Sequence, residues 1–212
     1  MSSFTAENIS AIKLGKSDGM LFLGSKDMNV YLIDVQRGKL CVVYEGHWSR
    51  VTSIYTIPGK DILVTLSESN IKIWDLEYDE CIKNMNEHSS LIVYCEISKA
   101  NDQHIVTVSQ TFEYKEWNYI TGEVVLALTL DIKGALQDDP VAKHDSDEEE
   151  TRLKTDRIAS VNMIACHIND NQVAFLALDT NQVIVHNLRL NKMICVFYSY
   201  QSKLSNQLTL IM

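Results

Sequence analysis

Four residue pairs at regular spacing constrain this chain more than any other feature. Ile33-Asp34, Trp74-Asp75, Trp117-Asn118 and His186-Asn187 each close a short run rich in β-branched and aromatic residues. The steps between them are 41, 43 and 69 residues. A polar, acidic segment of 26 residues, 131–156, lies inside the long step. Without it the period stays at 43. A sustained period near 40–45 with four strand-like pieces per unit predicts a row of small antiparallel sheets, none able to bury its own apolar face alone.

The units run over 9–45, 46–87, 88–130 and 157–200, with 131–156 as an acidic, mobile insertion. Each offers four alternating segments separated by turn residues such as Pro58-Gly59 and Thr121-Gly122. Residues 201–212 end in Leu208-Thr209-Leu210-Ile211-Met212, which reads as the first strand of a fifth unit with no unit after it. Four units plus one orphan strand would leave long apolar edges unpaired. The expected fold is therefore all-β, about four antiparallel four-stranded sheets plus that strand, forming part of a larger array.

Residues 46–76 narrow this further. Gly46-His47 opens the second unit and Trp74-Asp75 ends its third strand, and Gly24-Ser25-Lys26-Asp27-Met28-Asn29-Val30 marks a turn in the first. Together these resemble the WD40-repeat family, a β-propeller family. The resemblance implies a partial propeller whose blades are the units above. It also implies a buried hydrogen-bonded set in each well-formed blade. In the second blade that set would be His47, Thr65 or Ser67, Glu68 (where the family has Asp) and Trp74, next to Asp75. His88 and Trp117 keep part of it in the third blade, Thr111 stands at the turn position, and Asp27 holds that position in the first.

The C-terminal third, from Trp117-Asn118-Tyr119-Ile120-Thr121-Gly122 through the insertion to Lys154–Ser160, is also similar to the non-catalytic WD-repeat subunit of the tRNA guanine-N7 methyltransferase. That similarity implies a partner subunit of an RNA-modifying enzyme. Glu68-Ser69-Asn70 departs from that family's Arg-Asp-Glu-rich turn.

The bulk chemistry points away from catalysis and toward surface recognition. The net charge of −9 is a poor match for nucleic acid unless a basic partner intervenes. There is no apolar run long enough to span a bilayer and no basic-then-apolar leader at Met1, so the expected setting is cytoplasmic or nuclear. The five cysteines are odd in number with no C-x-x-C, and three recur just after the paired positions, which reads as small apolar residues kept reduced. Cys166-His167 would point to opposite faces of one strand, so no metal site is expected there, and no cofactor is expected either. No phosphate loop, G-x-S-x-G or H-E-x-x-H occurs, so no catalytic residue is assigned.

The candidate contact residues are Trp48, Ser49 and Arg50 on the loop into the second unit, with Ser89 and Ser90 at the matching place in the third. Such loops over a rigid frame are common recognition surfaces, and Trp and Arg are the usual anchors. Lys115 and Arg157 are weaker candidates. Ser146, followed by a run of acids, would suit an acidophilic kinase. The reading is a non-enzymatic protein-interaction scaffold whose partner is a protein. An adaptor that completes its open edge with another chain is the further alternative.

Overall fold

The structure, a computed structural model, describes residues 8–17, 19–98, 101–132, 161–170, 172–202 and 205–211, with side chains through 197. Every regular element among them is a strand. The order is β1 Ile9–Leu14, β2 Met20–Ser25, β3 Val30–Asp34, β4 Lys39–Tyr44, β5 Ser53–Thr56, β6 Ile62–Ser67, β7 Asn70–Asp75 and β8 Glu80–Met85. There follow β9 Ile92–Ile97, β10 His104–Ser109, β11 Glu113–Asn118, β12 Val124–Thr129, β13 Met163–Ile168, β14 Val173–Leu178, β15 Gln182–Asn187, β16 Lys192–Ser202 and β17 Ser205–Ile211. Consecutive strands pair into four antiparallel meanders, β1–β4, β5–β8, β9–β12 and β13–β17. The fold class read from the periodicity holds: the protein is all-β, built from antiparallel blades of four strands, the fourth with β17 as an added fifth.

The chain divides into two compact units. One holds the first and second sheets with most of the third; the other holds the rest of the third sheet and the fourth. In the first unit, the two sheets β1–β4 and β5–β8 bury Phe22, Val30 and Tyr44 against Val51, Ile54, Leu63 and Trp74. The other face of β5–β8 contributes Val64, Leu66, Ile71, Ile73 and Met85 to a cluster with Ile92, Cys95, Ile105, Trp117 and Tyr119. Strand alternation produces both clusters, since neighbouring residues of one strand face opposite ways. Gly24 is required at the first interface, because a Cβ there would stand 2.6 Å from Cγ1 of Val51.

The turns between third and fourth strands share one device. Asp34 accepts the backbone N–H of Arg37, Asp75 those of Glu77 and Tyr78, Asn118 those of Ile120 and Thr121, and Asn187 that of Leu190. Four residues after each of these comes a left-handed residue: Gly38, Asp79, Gly122 and Asn191, with φ between 47° and 83°. The acidic or amide member of each paired position is thus a turn builder, and glycine, aspartate and asparagine are the types that tolerate the conformation it enforces.

Two observations bear on the ends of the last units. Residues 205–211 do not open a new sheet; β17 pairs antiparallel with β16, from Val196↔Ile211 to Ser202↔Ser205. Pairing with the adjacent open edge satisfies backbone groups at the smallest loop-closure cost. Of the 131–156 segment the structure describes only its first two residues. Ile132 is buried, and the Asp131 N–H donates to Asn191 Oδ1. The remainder, with Ser146, and Arg157 lie outside the described residues.

Candidate interaction site

The site is built from a buried polar chain in the second sheet. Thr65 on β6 and Trp74 on β7 lie on one face of the sheet, and the Trp74 indole N–H donates to Thr65 Oγ1 at 2.7 Å. His47 Nε2 meets the same oxygen at 2.7 Å, and its Nδ1 lies 3.1 Å from Asn70 Oδ1. Asn70 in turn donates to Asn84 Oδ1 and the Met85 carbonyl. Burial, helped by the Lys72 charge, lowers the His47 pKa to about 4, so the ring is neutral.

The sequence pattern places Glu68 in this chain. In the structure Glu68 is exposed with φ 50°, and Asn70 takes its place. The physical reason is turn length: Ser67 pairs directly with Asn70, so only Glu68 and Ser69 form the loop, and Glu68 stands at its outer point. Of the two hydroxyl candidates, Thr65 carries the network, while Ser67 donates to the Ser49 carbonyl at 2.8 Å. Asn70 escapes the sequence pattern because it reads as the opening residue of a strand.

The third sheet repeats the arrangement. His88 Nε2 and the Trp117 indole N–H each lie 2.7 Å from Thr107 Oγ1. Thr111 is exposed at the turn, 3.3 Å from Ser109 Oγ. Both sheets place a lysine over the tryptophan, Lys72 on Trp74 and Lys115 on Trp117, each 5.7 Å from the ring. Lys115 also donates to the Glu87 carbonyl, so it is engaged within the sheet and does not stand out as a contact residue. In the first sheet Asp27 bonds the Tyr31 hydroxyl at 2.6 Å and the Asn29 N–H, without a histidine.

The loop 46–50 follows from this anchoring. His47 and Val51 are both buried, and Ser67 grips the carbonyl of Ser49. With alternate residues held inward, Trp48 and Arg50 turn outward, and Trp48 is 69% exposed. Ser89 is exposed and Ser90 half-buried at the matching place. Tyr78, exposed in the Asp75 turn, is a second surface aromatic that the sequence pattern does not single out. Its only signal is its position two residues after Leu76, beyond the strand's end. Cys166 and His167 pair with Leu176 and Phe175, on opposite faces of the fourth sheet. Among the described residues no three His, Cys, Asp or Glu side chains converge as a metal site would need.

No family profile matches the chain. Mouse pre-mRNA-processing factor 19 is 23% identical over 134 residues, covering 62% of this chain and 26% of that protein. A putative BTB/POZ domain and WD-repeat protein of Acanthamoeba polyphaga mimivirus is 30% identical over 69 residues, 32% of this chain and 13% of its own length. An uncharacterized WD repeat-containing protein of Schizosaccharomyces pombe is 30% identical over 76 residues, 35% of this chain and 20% of its own. The chain therefore spans about a quarter or less of these relatives. None of the three supports the similarity to the tRNA methyltransferase subunit. What the blades and the relatives have in common is the WD repeat, and it is to WD-repeat proteins that this chain is similar.

Proposed function

We propose that the chain is a non-enzymatic scaffold that docks a protein partner on the loop 46–50, with Trp48 as the anchor and Arg50 beside it. One observation carries the reading: a large aromatic is held in water by a loop whose flanking residues are pinned in the core. Exposed tryptophan next to arginine is the composition of interface hot spots, and a rigid support lowers the ordering cost of binding. Ser49 serves as the loop's anchor through its carbonyl, and Ser89 and Ser90 stand on the equivalent loop. The relatives' WD repeats fit a protein-binding role, in the cytosol or the nucleus. An acidic chain suits a partner presenting basic and apolar groups.

The test is isolation of the chain from its own cells, with Trp48→Ala and Arg50→Glu beside the parent. A stoichiometric protein lost from both variants, with unchanged circular dichroism and thermal midpoint, is the expected result. Retention of the same partner by both variants would overturn the assignment of the loop. Intrinsic turnover by the pure chain would overturn the scaffold reading.

A further inference from the structure

Lys72 is a buried cation, 8% exposed, in the middle of β7. Among the described residues it makes no ion pair and donates to no oxygen. Its ammonium lies 5.7 Å from the Trp74 ring and meets one acceptor, Cys81 Sγ on β8, at 3.9 Å. Lys115, at the same place in the third sheet, donates to the Glu87 carbonyl instead. The Cys81 thiol donates to the Lys83 carbonyl at 3.3 Å.

The register brings the pair together. Trp74 pairs with Cys81, and Ile73 with Lys83, which leaves Ile82 as the extra residue of a bulge. Lys72, Trp74 and Cys81 therefore share the face of the sheet that carries Thr65. In the first sheet the bulge falls on Cys41 itself, and Tyr31 stands where Lys72 does. Cys41 Sγ meets only the Lys39 carbonyl, at 3.7 Å, among the described residues. In the third sheet Val124 takes the place of the thiol, six residues after Asn118 as Cys81 is six after Asp75. Cys81 recurs in the sequence like a small apolar residue, yet it is exposed, and small solutes reach it. The amine beside it is nine-tenths buried.

We propose that Cys81 and Lys72 form a modification site for peroxides, in which oxidation of the thiolate closes a covalent S–N bridge between β7 and β8. The thiolate attacks one oxygen of hydrogen peroxide, the O–O bond breaks, and the leaving hydroxide takes a proton from the Lys72 ammonium. Cys81 is then a sulfenic acid, oxidised by two electrons, and Lys72 a free amine. The amine attacks the sulfur, the S–O bond breaks, and the hydroxyl leaves as water with a proton from the nitrogen. One thiolate, one ammonium and one peroxide give one sulfenamide and two waters. Two equivalents of an added thiol return the thiol and the amine and leave a disulfide. The held amine makes the second step intramolecular, which lets it outrun capture by solutes.

Burial pushes the Cys81 thiol up, and the Lys72 charge and the Lys83 backbone work against that, so the rate rises with pH. The bridge also takes away the Lys72 charge that helps hold the His47 pKa down. The inference stands apart from the docking role of Trp48.

The full chain, treated with hydrogen peroxide at mildly alkaline pH in the presence of dimedone, a probe for free sulfenic acid, tests this by peptide mass spectrometry. A peptide pair joining Lys72 to Cys81, two hydrogens lighter than its parts and released by dithiothreitol, is the expected result. Cys41 should appear as its dimedone adduct. Lys72→Arg keeps the charge and loses the nucleophile, so dimedone should then capture Cys81 as it does Cys41. Circular dichroism checks the fold of that variant. If it does not fold, the parent unfolded in urea before oxidation makes the same comparison, and the bridge should be lost there. Equal dimedone capture at Cys41 and Cys81 in the folded parent, with no bridge, overturns the inference. So does a bridge from Cys81 to Lys83 in place of Lys72, or a Lys72–Cys81 bridge that forms equally well in urea.

Discussion

In the second sheet Thr65 stands between His47 and Trp74, and in the fourth Leu176 occupies the same place beside His186. Thr65 pairs with Lys72, three residues before Asp75, and Leu176 pairs with Ile184, three before Asn187. Both histidines are buried and both have lowered pKa values because burial disfavours the imidazolium. Their circumstances otherwise differ. His47 is bonded at both nitrogens, while neither nitrogen of His186 meets a partner at full hydrogen-bond geometry among the described residues, and the Asp131 backbone and carboxylate are the groups that favour its charge. The lesson is that a buried polar group is stabilising only inside a completed set. The same residue type in another sheet is a cost.

Thr65→Val should show the largest effect. It removes the one oxygen that serves two buried N–H or ring-nitrogen groups, and leaving both unsatisfied costs about 2–5 kcal/mol. Urea unfolding followed by tryptophan emission reads the loss. The equivalent test in the fourth sheet, Leu176→Val, loses one methylene and should cost about 1 kcal/mol. Equal losses in the two sheets would break the comparison.

Acid should act on the second sheet through His47. Its folded pKa is about 4 against an ordinary 6.5, so between those values the unfolded chain binds the extra proton. Stability is therefore full above pH 6.5 and falls as the pH drops toward about 4, by up to about 1.4 kcal/mol per unit from this group. His47→Gln removes that slope while keeping a polar group for Thr65. Across this window the parent should lose stability relative to the variant as the pH falls, and parallel curves would show that His47 is not the group responsible.

Substitution by leucine should have opposite signs at the two histidines. His47→Leu strands Thr65 and Asn70 and should destabilise by about 2 kcal/mol. His186→Leu removes a buried imidazole that meets no partner at full hydrogen-bond geometry among the described residues and should stabilise by about 1 kcal/mol. Thermal midpoints of the two variants decide it, and a loss at His186 would mean that its ring is satisfied after all.

The unequal legibility of these sheets has a physical origin. Trp74, Trp117, His47 and His88 are readable because their roles need those side chains at those places, and the spacing shows them. The fourth sheet is readable by period alone, since Ala174, Leu176 and Ile184 keep the alternation after the polar set has gone. Asn70 is hidden because a two-residue turn shifts the acceptor by two positions and leaves Glu68 in water. The left-handed turn residues are half visible. Gly38 and Gly122 announce themselves, but Asp79 and Asn191 look like ordinary polar surface. Those two also tie their turns to other strands: Asp79 accepts the Tyr44 hydroxyl at 2.7 Å, and Asn191 donates to the Thr129 carbonyl. The pairing of 205–211 with β16 is not readable, because an alternating strand carries no mark of which edge it joins.

The smallest predicted effect sets one turn against another. Met28 is exposed and sits at φ 72°, a conformation that costs a side chain with a Cβ about 1 kcal/mol. Asn181, in the matching turn between β14 and β15, has φ 61° and is a type that tolerates it. Met28→Asn should therefore raise stability by about 0.5–1 kcal/mol, having no buried contact to lose. Met28→Gly should gain less, since glycine also loosens the unfolded chain. The reverse change, Asn181→Met, should cost a similar amount. If the two substitutions do not mirror each other, side-chain contacts within one of the turns outweigh the backbone preference.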